Sequence, residues 1–230
     1  GIPPMIRELP GANYAITTNG AVIADLKTNK AIRTCGLSNE MVQRILNIAK
    51  KYHSATDPFI DGRAITQPSS IDHMDEFGLS PQMQKLIRDT REVVPDVMEY
   101  VKTTGAQAEK INIFMADLEE REILRRELMA MPELSISSSM YNNLEVNAKG
   151  ADKGSALLWL ADHLGISREE TMAFGDGEND IPMIKDAGIG VAMENALDAV
   201  KEAADTITLN NDEDGVAAAI RKFIFGSSEE

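Results

Sequence analysis

Apolar and polar residues follow one another along the chain in patterns that predict strands and helices in turn. Residues Tyr14–Thr18 are β-prone and run into Asn19-Gly20, a dipeptide typical of tight turns, which predicts a strand and a hairpin. From Leu37 to Tyr52 apolar residues recur at helical spacing, and Ser38 is placed as an N-cap. We therefore expect a helix over about residues 38–53.

The middle of the chain mixes both periods. Lys110–Met115 has apolar residues at alternate positions, Leu118–Met131 returns to helical spacing, and Leu134–Ser137 alternates again. Gly1–Leu9 reads as the opening of a helix, because prolines fit the first helical turn. Residues 54–81 carry no clear period and predict no element.

From residue 152 onward, short apolar segments alternate with helical ones. This alternation is typical of a parallel sheet covered by helices. The predicted elements are helix Lys153–Leu164, strand Thr171–Phe174, helix Asp180–Ala187, strand Gly188–Ala192, helix Ala196–Ala203, strand Thr206–Leu209 and helix Gly215–Ile224.

A Gly-Asp-Gly turn follows the first of these strands and opens directly into a helix. Ligands of open α/β sheets bind at the carboxyl ends of strands, which places the Asp176 carboxylate in such a crevice. Hard cations such as Mg²⁺ prefer oxygen ligands, so Asp176 is the candidate metal ligand. The alternative is that Asn179 or Asp180 only caps the next helix. Capping explains one of these residues but not the whole Gly-Asp-Gly-x-Asn-Asp stretch.

A lysine one strand-and-helix unit earlier is the second candidate. Lys153 begins a predicted helix, where a cation is unfavourable with the helix dipole, and surface lysines are common. By itself it indicates a solvated side chain. Its position before the Asp176 turn is what suggests that its ammonium neutralises a phosphate.

Composition narrows the classes of function. The chain is 43% hydrophobic and 26% charged, typical of a globular protein, and has no apolar run near the ~18 residues that a membrane span needs. Its formal charge of -14 disfavours nucleic acid as a partner. The single Cys35 excludes an internal disulfide, which favours a cytoplasmic protein.

Four segments together resemble the Cof-type phosphatases of the haloacid dehalogenase superfamily. They are Lys153-Gly-Ser-Ala-Leu, the Gly-Asp-Gly-Glu-Asn-Asp stretch ending at Asp180, Gly190-Val-Ala-Met-Glu-Asn-Ala196, and Asp214-Gly-Val-Ala. Ala15-Ile-Thr-Thr-Asn-Gly-Ala21 is similar to the segment that leads into the cap domain of the same family.

The resemblance implies an α/β fold: a Rossmann-like parallel-sheet core of residues 1–22 and 149–230, with residues 23–148 inserted as an α/β cap. It also implies Mg²⁺-dependent hydrolysis of small phosphate esters such as sugar phosphates, so the expected partner is a small phosphorylated metabolite. By motif matching, Lys153 holds the phosphate, Asp176 the Mg²⁺ and Asp180 the lysine, while Asn179 lies beside the phosphate. Glu194 stands where the family often has glycine, which makes Asn195 a weaker candidate.

The resemblance also predicts an absence. Such enzymes attack phosphorus with an aspartate of an N-terminal Asp-x-Asp motif, and the one similar spelling here, Asp212-Glu213-Asp214, lies in a polar loop. We therefore expect the core to lack its first two strands and this chain to be inactive. The strand Thr171–Phe174 would then have an open edge. Three explanations are open for the place of the two missing strands. The sheet rearranges to close it, a partner chain or a second copy fills it, or the sequence is a fragment of a longer protein.

Three functions stay open at this point. The first is a phosphatase whose nucleophile motif is missing from this chain. The second is a catalytically inactive binding or regulatory module that keeps the phosphate and cation corner. The third is a phosphomutase of the same superfamily.

Overall fold

The computed structural model describes residues 2 and 4–226, and it divides the chain into two compact units, Gly1–Ala151 and Asp152–Glu230. Gly1 and Pro3 of the predicted opening helix lie outside the described residues, and the helix itself is short, Pro4–Arg7. The division expected from the resemblance, with residues 1–22 joined to 149–230 and residues 23–148 as a cap, stays a prediction.

The first unit holds nine strands and six helices among its described residues. In chain order they are α1 (Pro4–Arg7), β1 (Tyr14–Thr17), β2 (Val22–Asp25), β3 (Lys30–Thr34), α2 (Asn39–Ala49), β4 (Ser54–Ile60), β5 (Arg63–Thr66), α3 (Pro68–Asp72), α4 (Pro81–Thr90), β6 (Glu92–Val93), α5 (Val97–Thr104), β7 (Lys110–Met115), α6 (Leu118–Met129), β8 (Leu134–Ser137) and β9 (Asn143–Ala148).

Two sheets organise this unit. Strands β1, β2 and β3 form an antiparallel sheet, and the expected hairpin joins the first two. The larger sheet has the order β6-β5-β4-β7-β9-β8. Side chains alternate across it, so Ile111 and Ile113 join the core with helices α2, α5 and α6, while Phe114 packs on the opposite face.

Residues 54–81, for which the sequence predicts no element, include strands β4 and β5. Strand β4 crosses the middle of the larger sheet, yet it includes Pro58, which has no N–H to donate, and the buried Asp57. Arg91 donates to Asp57 Oδ2 at 3.1 Å and so compensates its burial. Because a proline and a buried carboxylate interrupt the apolar pattern of β4, hydrophobic periodicity alone does not predict this strand.

The second unit follows the predicted α/β alternation with small shifts at the ends. Its elements are α7 (Lys153–His163), β10 (Met172–Gly175), α8 (Ile181–Asp186), β11 (Ile189–Ala192), α9 (Asp198–Ala203), β12 (Thr206–Ile207) and α10 (Gly215–Ile224).

The three strands of this unit form a parallel sheet in the order β10-β11-β12. The α/β fold class is thus confirmed. Strand β10 lies at one edge of this sheet in the part of the chain that the structure describes, and self-association through that edge stays a prediction. Of the helices in residues 2 and 4–226, none is long and apolar enough to span a bilayer.

Candidate phosphate and metal site

The carboxyl end of β10 carries the Gly-Asp-Gly turn, as the pattern predicts. Gly175 is the last residue of the strand, Asp176 follows it, and residues Glu178–Asp180 form a single 3₁₀ turn that leads into α8. Asp176 is exposed there, whereas Asp180 is buried, at 6% exposure. Two carboxylates four residues apart therefore sit in different environments.

Both oxygens of Asp180 are engaged. Lys153 Nζ donates to Oδ1 at 2.5 Å, and the backbone N–H groups of Asp176 and Gly177 donate to Oδ2 at 3.0 and 3.1 Å. The buried carboxylate thus fixes the shape of the turn and the position of the ammonium together.

Lys153 stands at the first position of α7 and is only 26% exposed in its side chain. Asp152 caps this helix by accepting from Ser155 N at 2.8 Å. Gly154 allows the close approach of α7 and α8, since a Cβ there would lie 2.6 Å from the carbonyl oxygen of Pro182. An ammonium has three N–H donors, so binding Asp180 still lets it reach the oxygens of a phosphate.

Asn179 lies half-buried in the turn between the two carboxylates. Its Oδ1 would be 3.1 Å from a Cβ added at Gly177, so its amide folds back over that glycine. The structure thus groups all four predicted residues, Lys153, Asp176, Asn179 and Asp180, around one turn. Their roles stay predictions.

One residue beside this turn is a weaker candidate in the sequence. Asn195, demoted because Glu194 precedes it, donates from Nδ2 to Asp176 Oδ2 at 3.1 Å. The glutamate at residue 194 does not prevent this contact, and a role for Asn195 stays a prediction. The asparagine in Met193-Glu-Asn-Ala196 is itself a usable signal.

The donor set suits a weak site for a hard cation. Asp176 offers an exposed carboxylate, and Mg²⁺ in proteins commonly takes one or two carboxylates plus water and substrate phosphate. Within residues 2 and 4–226, no group of three or more His, Cys, Asp or Glu side chains is arranged to hold a metal ion. Asp180 is already engaged by Lys153, so of these two carboxylates Asp176 is the one that could hold a cation.

A separate buried polar network lies on the larger sheet of the first unit. Lys110 Nζ donates to Glu145 Oε1 at 2.7 Å, and Asn19 Nδ2 donates to Glu145 Oε2 at 2.7 Å. Burial alone raises the pKa of Glu145, but the charge of Lys110 and hydrogen bonds from Lys110, Asn19 and Ser139 outweigh it and lower the pKa. The alternation of Asn143, Glu145 and Asn147 in β9 could have revealed this polar face.

Several charged residues of segment 54–81, for which the sequence predicts no element, pair with other side chains of the first unit. Burial raises the pKa of Asp57, against the opposing charge of Arg91. Arg63 donates to Glu92, and His73 shares a hydrogen bond with Glu76. These contacts account for their side chains within the first unit.

A family model described as haloacid dehalogenase-like hydrolase matches residues 1–220. The chain belongs to this family. The predicted membership is thus confirmed, and the haloacid dehalogenase-like chain also resembles proteins of known activity. Over 114 residues it is 50% identical to the 5-amino-6-(5-phospho-D-ribitylamino)uracil phosphatase of Bacillus subtilis, a stretch covering 48% of this chain and 46% of that enzyme. The chain thus spans about half the length of this curated relative.

Solved structures of the family cover more of the chain. A haloacid dehalogenase-like hydrolase from B. subtilis is 28% identical with a TM-score of 0.80, over 92% of this chain and 79% of that one. A sugar phosphatase of HAD subclass IIB is 27% identical with a TM-score of 0.74, over 92% and 75% of the two chains. The haloacid dehalogenase-like chain is therefore similar to phosphatases in both sequence and fold.

Proposed function

We propose that the turn after β10 binds the phosphate of a small phosphate ester together with Mg²⁺, as part of a phosphohydrolase. The observation that carries this proposal is the 2.5 Å contact between Lys153 Nζ and the buried Asp180, directly beside the exposed Asp176. A cation held by a buried carboxylate at the end of a parallel strand is suited to an anionic ligand.

Each residue has a distinct task in this proposal. Lys153 neutralises the phosphate, Asp180 orients the ammonium, and Asn179 contacts the phosphate from the adjoining turn. Asp176 would hold the Mg²⁺, which neutralises charge on the phosphate oxygens when bound. Because one carboxylate is a sparse ligand set, we expect the affinity for Mg²⁺ to be in the millimolar range.

The covalent step needs a nucleophile that these residues do not supply. Asp180 is occupied by Lys153 and two backbone N–H groups, and Asp176 is committed to the cation. Asp212-Glu213-Asp214, the one Asp-x-Asp spelling in the sequence, lies in the loop before α10. We therefore propose that the 230-residue chain binds phosphate but does not hydrolyse phosphate esters by itself.

The proposed substrate class is a phosphorylated sugar or sugar-like metabolite in the cytoplasm. Support comes from the names of two similar proteins, one acting on a phosphoribitylamino-uracil and one described as a sugar phosphatase. The net charge of -14 supports a small ligand over a nucleic-acid chain.

Phosphorus-31 NMR of inorganic phosphate tests the proposal directly. We expect the purified chain to broaden or shift the phosphate signal in the presence of millimolar Mg²⁺, and Lys153→Ala to remove the effect. Lys185→Ala is the matched control, because Lys185 is an exposed lysine of the same unit on α8. Equal phosphate binding by the two lysine variants would count against the proposal.

A further inference from the structure

A turn at residues 193–197 bridges the carboxyl ends of the parallel strands. Met193 N donates to the carbonyl oxygen of Gly175 at 3.0 Å, and Leu197 N donates to that of Asp176 at 3.1 Å. On the other side, Glu194 N donates to the carbonyl oxygen of Leu209 at 3.4 Å. Backbone hydrogen bonds therefore hold this turn beside Asp176 before any side chain is considered.

The side chain of Asn195 uses both ends of its amide. Nδ2 donates to Asp176 Oδ2 at 3.1 Å, and Oδ1 accepts from the backbone N–H of Asn211 at 3.1 Å. Reversing the amide would turn its NH₂ toward another donor and its oxygen toward a carboxylate. The orientation that donates to Asp176 is therefore fixed by Asn211.

The backbone that holds Asn195 is itself well ordered. Asp212 N donates to Asn210 Oδ1 at 2.8 Å, and Gly215 N donates to the carbonyl oxygen of Asn210 at 3.3 Å. Thr208 Oγ1 donates to the carbonyl oxygen of Gly215 at 2.6 Å, closing the loop against the end of β12. The N–H of Asn211 is thus presented in a set direction.

We propose that Asn195 is a positioning residue that fixes the Asp176 carboxylate for a hard cation such as Mg²⁺ and ties it to the loop Asn210–Asp214. The proposal rests on the metal role of Asp176 in the proposed function. An exposed carboxylate rotates freely, and a cation that binds it must restrict that rotation. With Oδ2 bound to the Asn195 amide, Oδ1 would be the oxygen of Asp176 that could hold the cation.

The inference is tested by Mn²⁺ binding, measured by electron paramagnetic resonance with Mg²⁺ as competitor. We expect Asn195→Ala to weaken binding about three- to tenfold, the effect of losing a charge-assisted hydrogen bond to a ligand in an exposed site. Asn211→Ala is the matched control, because it keeps the backbone N–H that Asn195 accepts. It should leave the affinity within about twofold of the parent chain.

Two further measurements separate positioning from mere structural support. The thermal midpoints of the two asparagine variants should agree, since Asn195 is exposed. Hydrogen exchange at the Asn211 amide should be faster in Asn195→Ala alone. Equal Mn²⁺ affinity in both variants would overturn the role of Asn195.

Asp176→Asn distinguishes this failure from a failure of the proposed function. If Asn195→Ala leaves Mn²⁺ affinity unchanged while Asp176→Asn abolishes binding, only the positioning role is lost. If Asp176→Asn binds Mn²⁺ as well as the parent chain, or the parent chain binds none, the proposed metal site fails and the role of Asn195 with it.

Discussion

Lys153 and Asp180 form an ion pair in which the acid is the more buried partner. The side chain of Asp180 is 9% exposed and that of Lys153 is 26% exposed, with Nζ and Oδ1 2.5 Å apart. The carboxylate is therefore anchored in the unit while the ammonium reaches toward solvent. The Lys153 ammonium can therefore contact an anion while it keeps its hydrogen bond to the Asp180 carboxylate.

Asp180→Asn should destabilise the second unit and weaken phosphate binding. The introduced amide must turn its NH₂ toward either the ammonium or the backbone N–H groups, all of which are donors. We expect a loss of about 1–3 kcal/mol in the free energy of unfolding, measured in urea. Asp162→Asn, an exposed change on α7, is the control and should cost nothing measurable. Equal unfolding curves for the two variants would contradict the anchoring role of Asp180.

Gly175→Ala should disrupt the same turn by steric overlap. A Cβ at residue 175 would lie 2.6 Å from Asp180 Cγ, so the strand end or the turn must move. We expect destabilisation of more than about 2 kcal/mol, with loss of Lys153-dependent phosphate binding. In Gly177→Ala the added Cβ would lie 3.1 Å from Asn179 Oδ1 and 3.8 Å from Asp180 Oδ2, so this change should be clearly milder. Calorimetric unfolding of both variants decides the point, and a milder effect at residue 175 would refute it.

Glu145→Gln should destabilise the first unit in a pH-dependent way. Lys110 would keep its charge while only 11% exposed, so we expect a loss of about 3 kcal/mol at neutral pH. The pKa of Glu145 is lowered from its usual 4.5, so its stabilising contribution is complete above that value and is lost as pH falls through the lowered pKa. The difference between parent and variant should therefore shrink in acid.

The exposed pair of Lys51 and Glu127 provides the control for that experiment. Their side chains are 58% and 35% exposed, and such pairs contribute about 0–1 kcal/mol. Urea unfolding of Glu127→Gln at several pH values should show a small effect. The pKa of Asp57 is raised, so its contribution to the free energy of unfolding has the opposite pH dependence. Because parent and variant both contain Asp57, this contribution cancels in the difference between them. A constant deficit of Glu145→Gln down to pH 3 would show that its charge is not the cause.

The 230-residue chain should hydrolyse p-nitrophenyl phosphate no faster than background. Lys153, Asn179 and a cation at Asp176 can position a phosphate, but loss of a nucleophile typically costs several orders of magnitude in rate. A version extended upstream with the family's Asp-x-Asp segment should hydrolyse p-nitrophenyl phosphate with Mg²⁺. Measuring the mass of both proteins in solution shows whether either one self-associates. Mg²⁺-dependent turnover by the shorter chain, lost in Lys153→Ala, would show that another residue is the nucleophile.

The second unit is well predicted from the sequence because each of its elements carries a local signal. Gly215–Ile224 is predicted to the residue, and the other helices and strands shift only at their ends. In the first unit, the signals of β4 and β5 are not local. The buried Asp57 of β4 is paired with Arg91, which lies 34 residues away in the chain. The spacing of apolar residues does not indicate such a contact between distant parts of the chain.

The candidate site divides in the same way. Lys153, Asp176, Asn179 and Asp180 stand in short local motifs of the sequence, and the structure groups them around one turn, while their roles stay predictions. Asn195 is a weaker candidate in the sequence because Glu194 stands where the family often has glycine. Its hydrogen bonds to Asp176 and Asn211 depend on the packing of two loops, which no local pattern shows.

The turn between β1 and β2 implies an order of events during folding. Thr18, Asn19 and Gly20 all have positive φ, at 49°, 59° and 95°, a conformation that a β-branched threonine adopts at a cost. Asn19 is held by Glu145, which lies 126 residues further along the chain. The hydrogen bond from Asn19 can therefore form only once β9 has been brought to the turn, and closing so long a loop is a slow kind of step.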